Sequence, residues 1–234
     1  MDIQLLLVPY DSGQRGWRCG AGPEHLVRAG LPAHLQIQGH IVTAIHLIED
    51  DPAYPPAEIR TAFELVRRLA TTVRSARTAG HFPLVLSGNC NTAVGTLSGL
   101  TPARRATFWF DAHGDCNTPE TTTSGFLDGM GLAMTMGLCW HHLLGATVPG
   151  FQPVAAEATF LMGARDLDPT EAALLQGSAI TAIPVRSRKG SRASWRGRRW
   201  RIPSAISTWT SMYWIRPSAT RTTCRPPTAS PFPT

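Results

Sequence analysis

The chain has 234 residues, with 22 Lys+Arg against 16 Asp+Glu, 43% hydrophobic residues and a formal net charge of +6. That length suits one α/β domain or two small ones, and it can bury a substantial core. No apolar run of about 18 residues occurs, and Met1-Asp2 followed by a short Leu-Leu-Leu-Val-Pro run reads as no signal peptide, so membrane-spanning and secreted classes are not expected. Five cysteines (Cys19, Cys90, Cys116, Cys139, Cys224) are odd in number and lack Cys-Xaa-Xaa-Cys spacing, which fits free thiols in a reducing cytoplasm.

In chain order, the apolar run 3–9 predicts a buried strand, followed by a Gly-rich loop at 11–22. Pro23 suits a first helical position, and the helix it opens is broken at Gly30-Leu31-Pro32 and ends before Gly39. A second strand is expected at 41–47. The segment 57–79 then places Ile59, Phe63, Val66, Ala70 and Val73 on one helical stripe that Gly80 stops. Strands follow at 83–87, 106–110 and 159–163, with helical segments between and after them. Strand–helix alternation with continuous apolar strands argues for a parallel sheet covered on both faces. No internal repeat is present.

Charge divides the chain. Residues 1–184 hold all 16 acidic residues and 11 of the Lys+Arg, whereas 185–234 hold the other 11 Lys+Arg and no Asp or Glu. Ser, Thr and Pro make up 21 of those last 50 residues. Two regions are therefore expected: an α/β domain over 1–184 and a basic Ser/Thr/Pro/Arg-rich tail over 185–234. The tail lacks helical or strand periodicity and is expected to be disordered.

In parallel α/β folds the chemistry collects in loops beyond the carboxyl ends of the strands. Two such loops stand out, Ser87-Gly88-Asn89-Cys90-Asn91 and Asp111-Ala112-His113-Gly114-Asp115. In an extended segment 111, 113 and 115 point the same way, so two carboxylates and an imidazole would make a divalent site of Mn, Fe or Zn type. Alternatively, the two aspartates cap a turn and His113 is an ordinary loop histidine.

The run Asp111-Ala112-His113-Gly114-Asp115-Cys116-Asn117-Thr118-Pro119, followed by Thr122-Thr123-Ser124-Gly125, resembles the central signature of the arginase/agmatinase (ureohydrolase) family. Val8-Pro9, Gly13-Gln14-Arg15-Gly16 and Gly20-Ala21-Gly22-Pro23 are similar to its amino-terminal strand and loop. Gly163-Ala164-Arg165-Asp166-Leu167-Asp168-Pro169 is similar to its later strand-end motif. The likeness spans most of 3–183, with separated motifs in the family order.

The resemblance implies a three-layer α/β/α sandwich with a mainly parallel sheet, incomplete here at the C-terminus, and a pair of Mn²⁺ ions. Asp111 and Asp115 would bridge the metals and His113 would bind one. Hydroxide formed by metal activation would attack the carbon of a guanidinium or another linear amidine, with Asp115 orienting it and handling a proton. Asn117 and Ser124 match positions that hold a substrate α-carboxylate, and Asp168 one that reads an α-amino group, which favours arginine-like substrates. As plain structure, Asn117 and Ser124 are common turn residues, and Asp168 would cap a helix over 169–176. Family members assemble as trimers or hexamers.

The chain also departs from the pattern. Cys90 stands where the family has a metal-binding His; as a soft ligand it would lower occupancy or shift preference toward Fe²⁺ or Zn²⁺, and otherwise it is a small residue filling the slot. Asp128, in Phe126-Leu127-Asp128-Gly129, occupies the place of a His that serves acid–base work in arginases; the resemblance implies a catalytic role for it beside Asp115, and the exchange points toward a modified arginine or another amidine. The family's third motif, Asp-Xaa-Asp-Xaa-Xaa-Asp-Pro, is absent, since 185–234 contains no carboxylate. Two Mn²⁺ need roughly ten to twelve mostly oxygen ligands, and the remaining residues leave both short.

A shifted reading frame, through a sequencing error, a pseudogene lesion or a programmed event, would account for this absence. The codons under Trp209 to Arg216, regrouped so that each new codon takes one last base and the next two first bases, force Asp from Trp209/Thr210 and Val from Met212/Tyr213. They also force Leu from Tyr213/Trp214 and Asp from Trp214/Ile215. Ser211/Met212 permits Asp, and Ile215/Arg216 permits Pro. The shifted product is Asp-Xaa-(Asp)-Val-Leu-Asp-(Pro), so the tail reads as the family's own sequence in a shifted frame, with the slip near 185–205. The competing reading is a non-catalytic nucleic-acid-binding tail, with Arg on phosphates and Trp195, Trp200, Trp209 and Trp214 stacking on bases.

Overall fold

A computed structural model describes residues 1–100 and 106–183, together with the backbone of 212–214. The elements run β1 (Asp2–Val8), β2 (Tyr10–Asp11), β3 (Gln14–Arg15), α1 (Gly22–Arg28), α2 (Leu31–Ile37), β4 (Ile41–Leu47), α3 (Glu58–Thr78) and β5 (Phe82–Ser87). They continue as α4 (Thr92–Gly99), β6 (Thr107–Phe110), α5 (Gly131–Thr135), α6 (His141–Thr147), β7 (Thr159–Met162), α7 (Pro169–Gly177), β8 (Thr181–Ile183) and β9 (Met212–Trp214). Three short 3₁₀ turns, over Arg18–Ala21, Leu127–Met130 and Ala156–Ala158, join them.

Among the described residues the main strands form two parallel sheets, ordered β4-β1-β5 and β8-β7-β6-β9. β1 is central because both of its faces are apolar. Ile3, Leu5 and Leu7 pack with Val27, Leu31 and Leu35 of α1 and α2. The alternate residues Leu6 and Val8 pack with Leu65, Leu69 and Val73 of α3. Helices on both faces of parallel strands make an α/β/α sandwich, as expected. The cover is incomplete at the edge strand, where Ile41, Ile45 and Leu47 of β4 are exposed.

The expected helical stripe is the buried face of α3: Phe63, Val66, Ala70 and Val73 are buried. Ile59, in the first turn, is exposed instead. Leu69, fully buried in the same helix, contributes on the order of 1.5–3 kcal/mol through transfer from water. The opposite face carries Glu64, whose carboxylate accepts from Arg67 Nε at 2.8 Å and Arg68 Nε at 2.5 Å. The Gly-rich segment after β1 is more ordered than a plain loop, because β2 and β3 pair antiparallel within it.

In the second sheet Trp109 and Leu161 are fully buried and pack with Leu132 of α5 and Leu175 of α7. β9 runs parallel to β6, with Trp109 opposite Tyr213. The remainder of the tail, and with it the expectation of disorder over 185–234, lies outside the described residues. No described helix is long and apolar enough to cross a membrane.

Candidate metal centre

The strand-end loops converge. The loop after β5 (88–91) and the loop after β6 (111–117) meet so that one donor atom each from Cys90, Asp111 and Asp115 lies within 4.8 Å of the others. Glycine makes the approach feasible. A Cβ at Gly88 would sit 2.4 Å from the Tyr10 carbonyl oxygen and 2.5 Å from the Gly20 nitrogen, so this loop lies directly on the amino-terminal one. The loop after β7 joins the same end, since the N–H groups of Arg165 and Asp166 both donate to the Ala112 carbonyl, at 2.8 and 2.9 Å.

His113 stands apart from this cluster. The alternation expected for an extended 111–115 does not hold: β6 ends at Phe110, the chain bends at 112–113, and Asp115 adopts a left-handed backbone with φ of 48°. Asp111 and Asp115 therefore meet while the His113 side chain is 60% exposed. Its Nδ1 lies 3.3 Å from Asp111 Oδ1 and its Nε2 lies 3.9 Å from Asp166.

Asp115 is fixed from several sides. Its Oδ2 accepts from Trp109 Nε1 at 3.2 Å, and its carbonyl accepts the N–H groups of Leu132 and Ala133 at 2.9 and 3.0 Å. Left-handed backbone is uncommon outside glycine, and Asp is among the residues that tolerate it. Burial, and then the neighbouring Asp111 charge, push the Asp115 carboxyl well above the usual carboxylate range. Burial acts on Asp111 too, but hydrogen bonds from His113 outweigh it and hold that carboxyl low. The bond to Asp111 raises the His113 imidazole in turn. Burial drives the Cys90 thiol well up, with the charges of Asp115, Asp128 and Asp111 adding to it. One sulfur and two crowded carboxylates fit a divalent cation of borderline softness, whose charge would relieve the crowding that raises these groups.

Asp128 lies in the 3₁₀ turn 127–130 and is buried. Both of its oxygens are engaged with the loop after β5, Oδ2 by Asn89 Nδ2 at 2.7 Å and Oδ1 by Asn91 Nδ2 at 2.8 Å. Burial lifts its carboxyl to about 7 despite these hydrogen bonds.

Of the three expected substrate residues, the structure joins two. Asn117 Nδ2 donates to Asp168 Oδ2 at 2.9 Å, and Asn117 Oδ1 accepts from Thr121 and Thr170 at 3.0 and 3.2 Å. Asp168 also caps α7 in a capping box with Glu171, as its position before Pro169 suggests. Ser124 lies on an exposed loop, its hydroxyl accepting the Phe126 N–H at 3.2 Å.

Glu171 is the residue that sequence reasoning missed. It is buried; Oε1 accepts the Cys116 N–H at 3.0 Å and Oε2 accepts the Asp168 N–H at 3.0 Å, tying the 111–117 loop to α7. The signal available was Asp-Xaa-Xaa-Glu at 168–171, a capping-box spacing.

A model of the Arginase family matches residues 1–195. The chain belongs to the arginase family. It is 31% identical to an arginase of Bacillus caldovelox over 76% of this chain and 62% of that protein. An arginase of Brevibacillus brevis is 33% identical over 75% and 61%. The arginase structure from Bacillus subtilis superposes with a TM-score of 0.69 at 29% identity, covering 79% of this chain and 63% of that one. The chain thus spans about three fifths of the length of the curated arginases it matches.

Proposed function

We propose that the chain is a manganese-dependent hydrolase of carbon–nitrogen bonds in linear amidines, arginase-like, acting on an arginine-type or modified-arginine guanidino substrate. The observation that carries this reading is the convergence of Cys90, Asp111 and Asp115 at the strand ends of an arginase-family fold. Asp111, Asp115 and Cys90 are the metal-holding residues, and His113, a ligand by the family resemblance, would have to turn inward from its exposed position beside Asp111 to join them. A bound divalent pair would supply the Lewis acidity that acidifies water near neutral pH.

The chain's own groups supply the rest. Asp115, buried beside Asp111 and held by Trp109 Nε1, would orient the attacking hydroxide and pass on a proton, as the family resemblance implies. Asn117 and Asp168, joined by their hydrogen bond, offer an amide and a carboxylate suited to the α-carboxylate and α-ammonium of an amino acid, with Ser124 on the same run of loops. Trimeric or hexameric assembly and a cytoplasmic setting follow from the same family reading.

The 234-residue form lacks the third carboxylate motif, and we infer that it is impaired. Manganese titration by calorimetry together with urea release from arginine tests this. The expected result is fewer than two tight sites and little or no urea. Two tight sites with urea release overturn the impairment, and no divalent binding of any kind overturns the metal site.

A further inference from the structure

Cys90 is held by a residue far from it in sequence. Asp128 accepts hydrogen bonds from the residues on either side of Cys90: from Asn89 Nδ2 at 2.7 Å, from Asn91 Nδ2 at 2.8 Å, and at 3.4 Å from the Asn91 N–H. Gly131, the first residue of α5 directly after the turn that carries Asp128, backs onto Cys90 so closely that a Cβ there would lie 3.2 Å from Cys90 Cβ and 3.2 Å from its carbonyl carbon. The Cys90 carbonyl in turn accepts the Ala93 N–H at 3.1 Å, which fixes it to the start of α4. With both neighbours clamped and its Cβ beside a glycine, the Cys90 backbone is held where Sγ lies within 4.8 Å of carboxylate oxygens of Asp111 and Asp115.

We propose that Asp128 is a positioning residue: through Asn89 and Asn91 it aims the Cys90 sulfur at Asp111 and Asp115, so that the cation of this centre is bound in part through sulfur. This rests on the metal site proposed above and adds the identity of the donor and the group that aims it. Binding forms a metal–sulfur bond and releases the thiol proton to solvent. A sulfur donor beside two carboxylates draws thiophilic ions such as Co²⁺ and Zn²⁺ more strongly than Mn²⁺. Residues that orient a ligand without touching the metal typically change affinity by about tenfold to a hundredfold when removed.

Cobalt(II) added to the full 234-residue chain is the probe, read by absorbance and by calorimetry. The expected result is a sulfur-to-cobalt charge-transfer band in the near ultraviolet that disappears in Cys90→Ser. In Asp128→Ala the band weakens or shifts and cobalt affinity falls about tenfold or more. Asp128→Asn, which keeps one acceptor oxygen, recovers part of the signal. Asn89→Ala and Asn91→Ala each remove one link with Asp128 in place and move the band in the same direction, so the test survives if Asp128→Ala fails to fold. A band unchanged in the Asp128, Asn89 and Asn91 variants overturns the positioning role. Cobalt bound by the parent chain without the band overturns sulfur ligation, and absence of cobalt binding in calorimetry overturns the metal site itself.

Discussion

Glu171 Oε1 accepts the backbone N–H of Cys116 at 3.0 Å across 55 residues of chain. The bond is buried and joins the loop that carries Asp111 and Asp115 to the first turn of α7. Glu171→Ala leaves the Cys116 and Asp168 N–H groups without their acceptor, and a buried unsatisfied donor costs about 1–3 kcal/mol. Urea denaturation should show a loss of that size, whereas Glu171→Gln, which keeps one acceptor oxygen, should lose less. Equal losses in both variants would overturn the idea that the retained acceptor oxygen carries the effect.

Two glycines should respond unequally to a methyl group. At Gly88 the added Cβ meets backbone, 2.4 Å from the Tyr10 oxygen, and nothing nearby can rotate aside. At Gly114 it meets Glu171 Oε1 at 2.7 Å, the end of a side chain. Overpacking in well-packed interiors costs about 1–3 kcal/mol. Gly88→Ala is therefore expected to lower Tm more than Gly114→Ala, and thermal melts of the two variants decide the order.

The acid limb of stability should carry a signature of α3. The hydrogen bond from Arg67 holds the Glu64 carboxyl down to about 2, from a usual 4.5, with Arg68 assisting against the opposing effect of burial. Folded protein therefore binds fewer protons here than unfolded protein between those values, so stability present above pH 4.5 is lost as pH falls toward 2. Melts from pH 6 to 3 should show a steeper fall for the parent chain than for Glu64→Gln, and added salt should narrow the difference because these groups are partly exposed.

Much of the fold was legible because β1, β5, β6 and β7 are short continuous apolar runs, and a strand buried on both faces leaves that trace. α3 was legible for the same kind of reason, apart from Ile59, whose place in the first turn puts it beyond the neighbouring layer's reach. The β2–β3 pairing was not legible, since two-residue strands carry no periodicity. In the site, Asp111, Asp115 and Cys90 were readable as chemistry, but their arrangement was not. The side-chain alternation used for 111, 113 and 115 assumes an extended chain, and the left-handed Asp115 breaks that assumption locally. Glu171 escaped because it looks like half of an ordinary helix cap, while its second oxygen reaches a different loop.

The shifted-frame reading makes a prediction that needs only nucleic acid. Resequencing the gene across the codons for 185–205 and beyond the codon for Thr234 should reveal an inserted or deleted base that restores Asp-Xaa-Asp-Val-Leu-Asp-Pro. The repaired chain should then bind two manganese ions in calorimetry and release urea or a related product. A confirmed frame would mean that the acid-free tail is the real one and that the four residues forced by the code are coincidence.

The φ of 48° at Asp115 limits how this centre can change over generations. Gly and Asn enter such a backbone readily but bring no negative charge, and Glu brings the charge with less tolerance for the conformation and a longer reach. Aspartate alone combines an anionic ligand with an acceptable left-handed backbone, so substitution at 115 is nearly closed. Position 90 has no positive φ, so its backbone places no such limit on the donor. The lineage can retune the softness of its donors there while its anchor at 115 stays fixed.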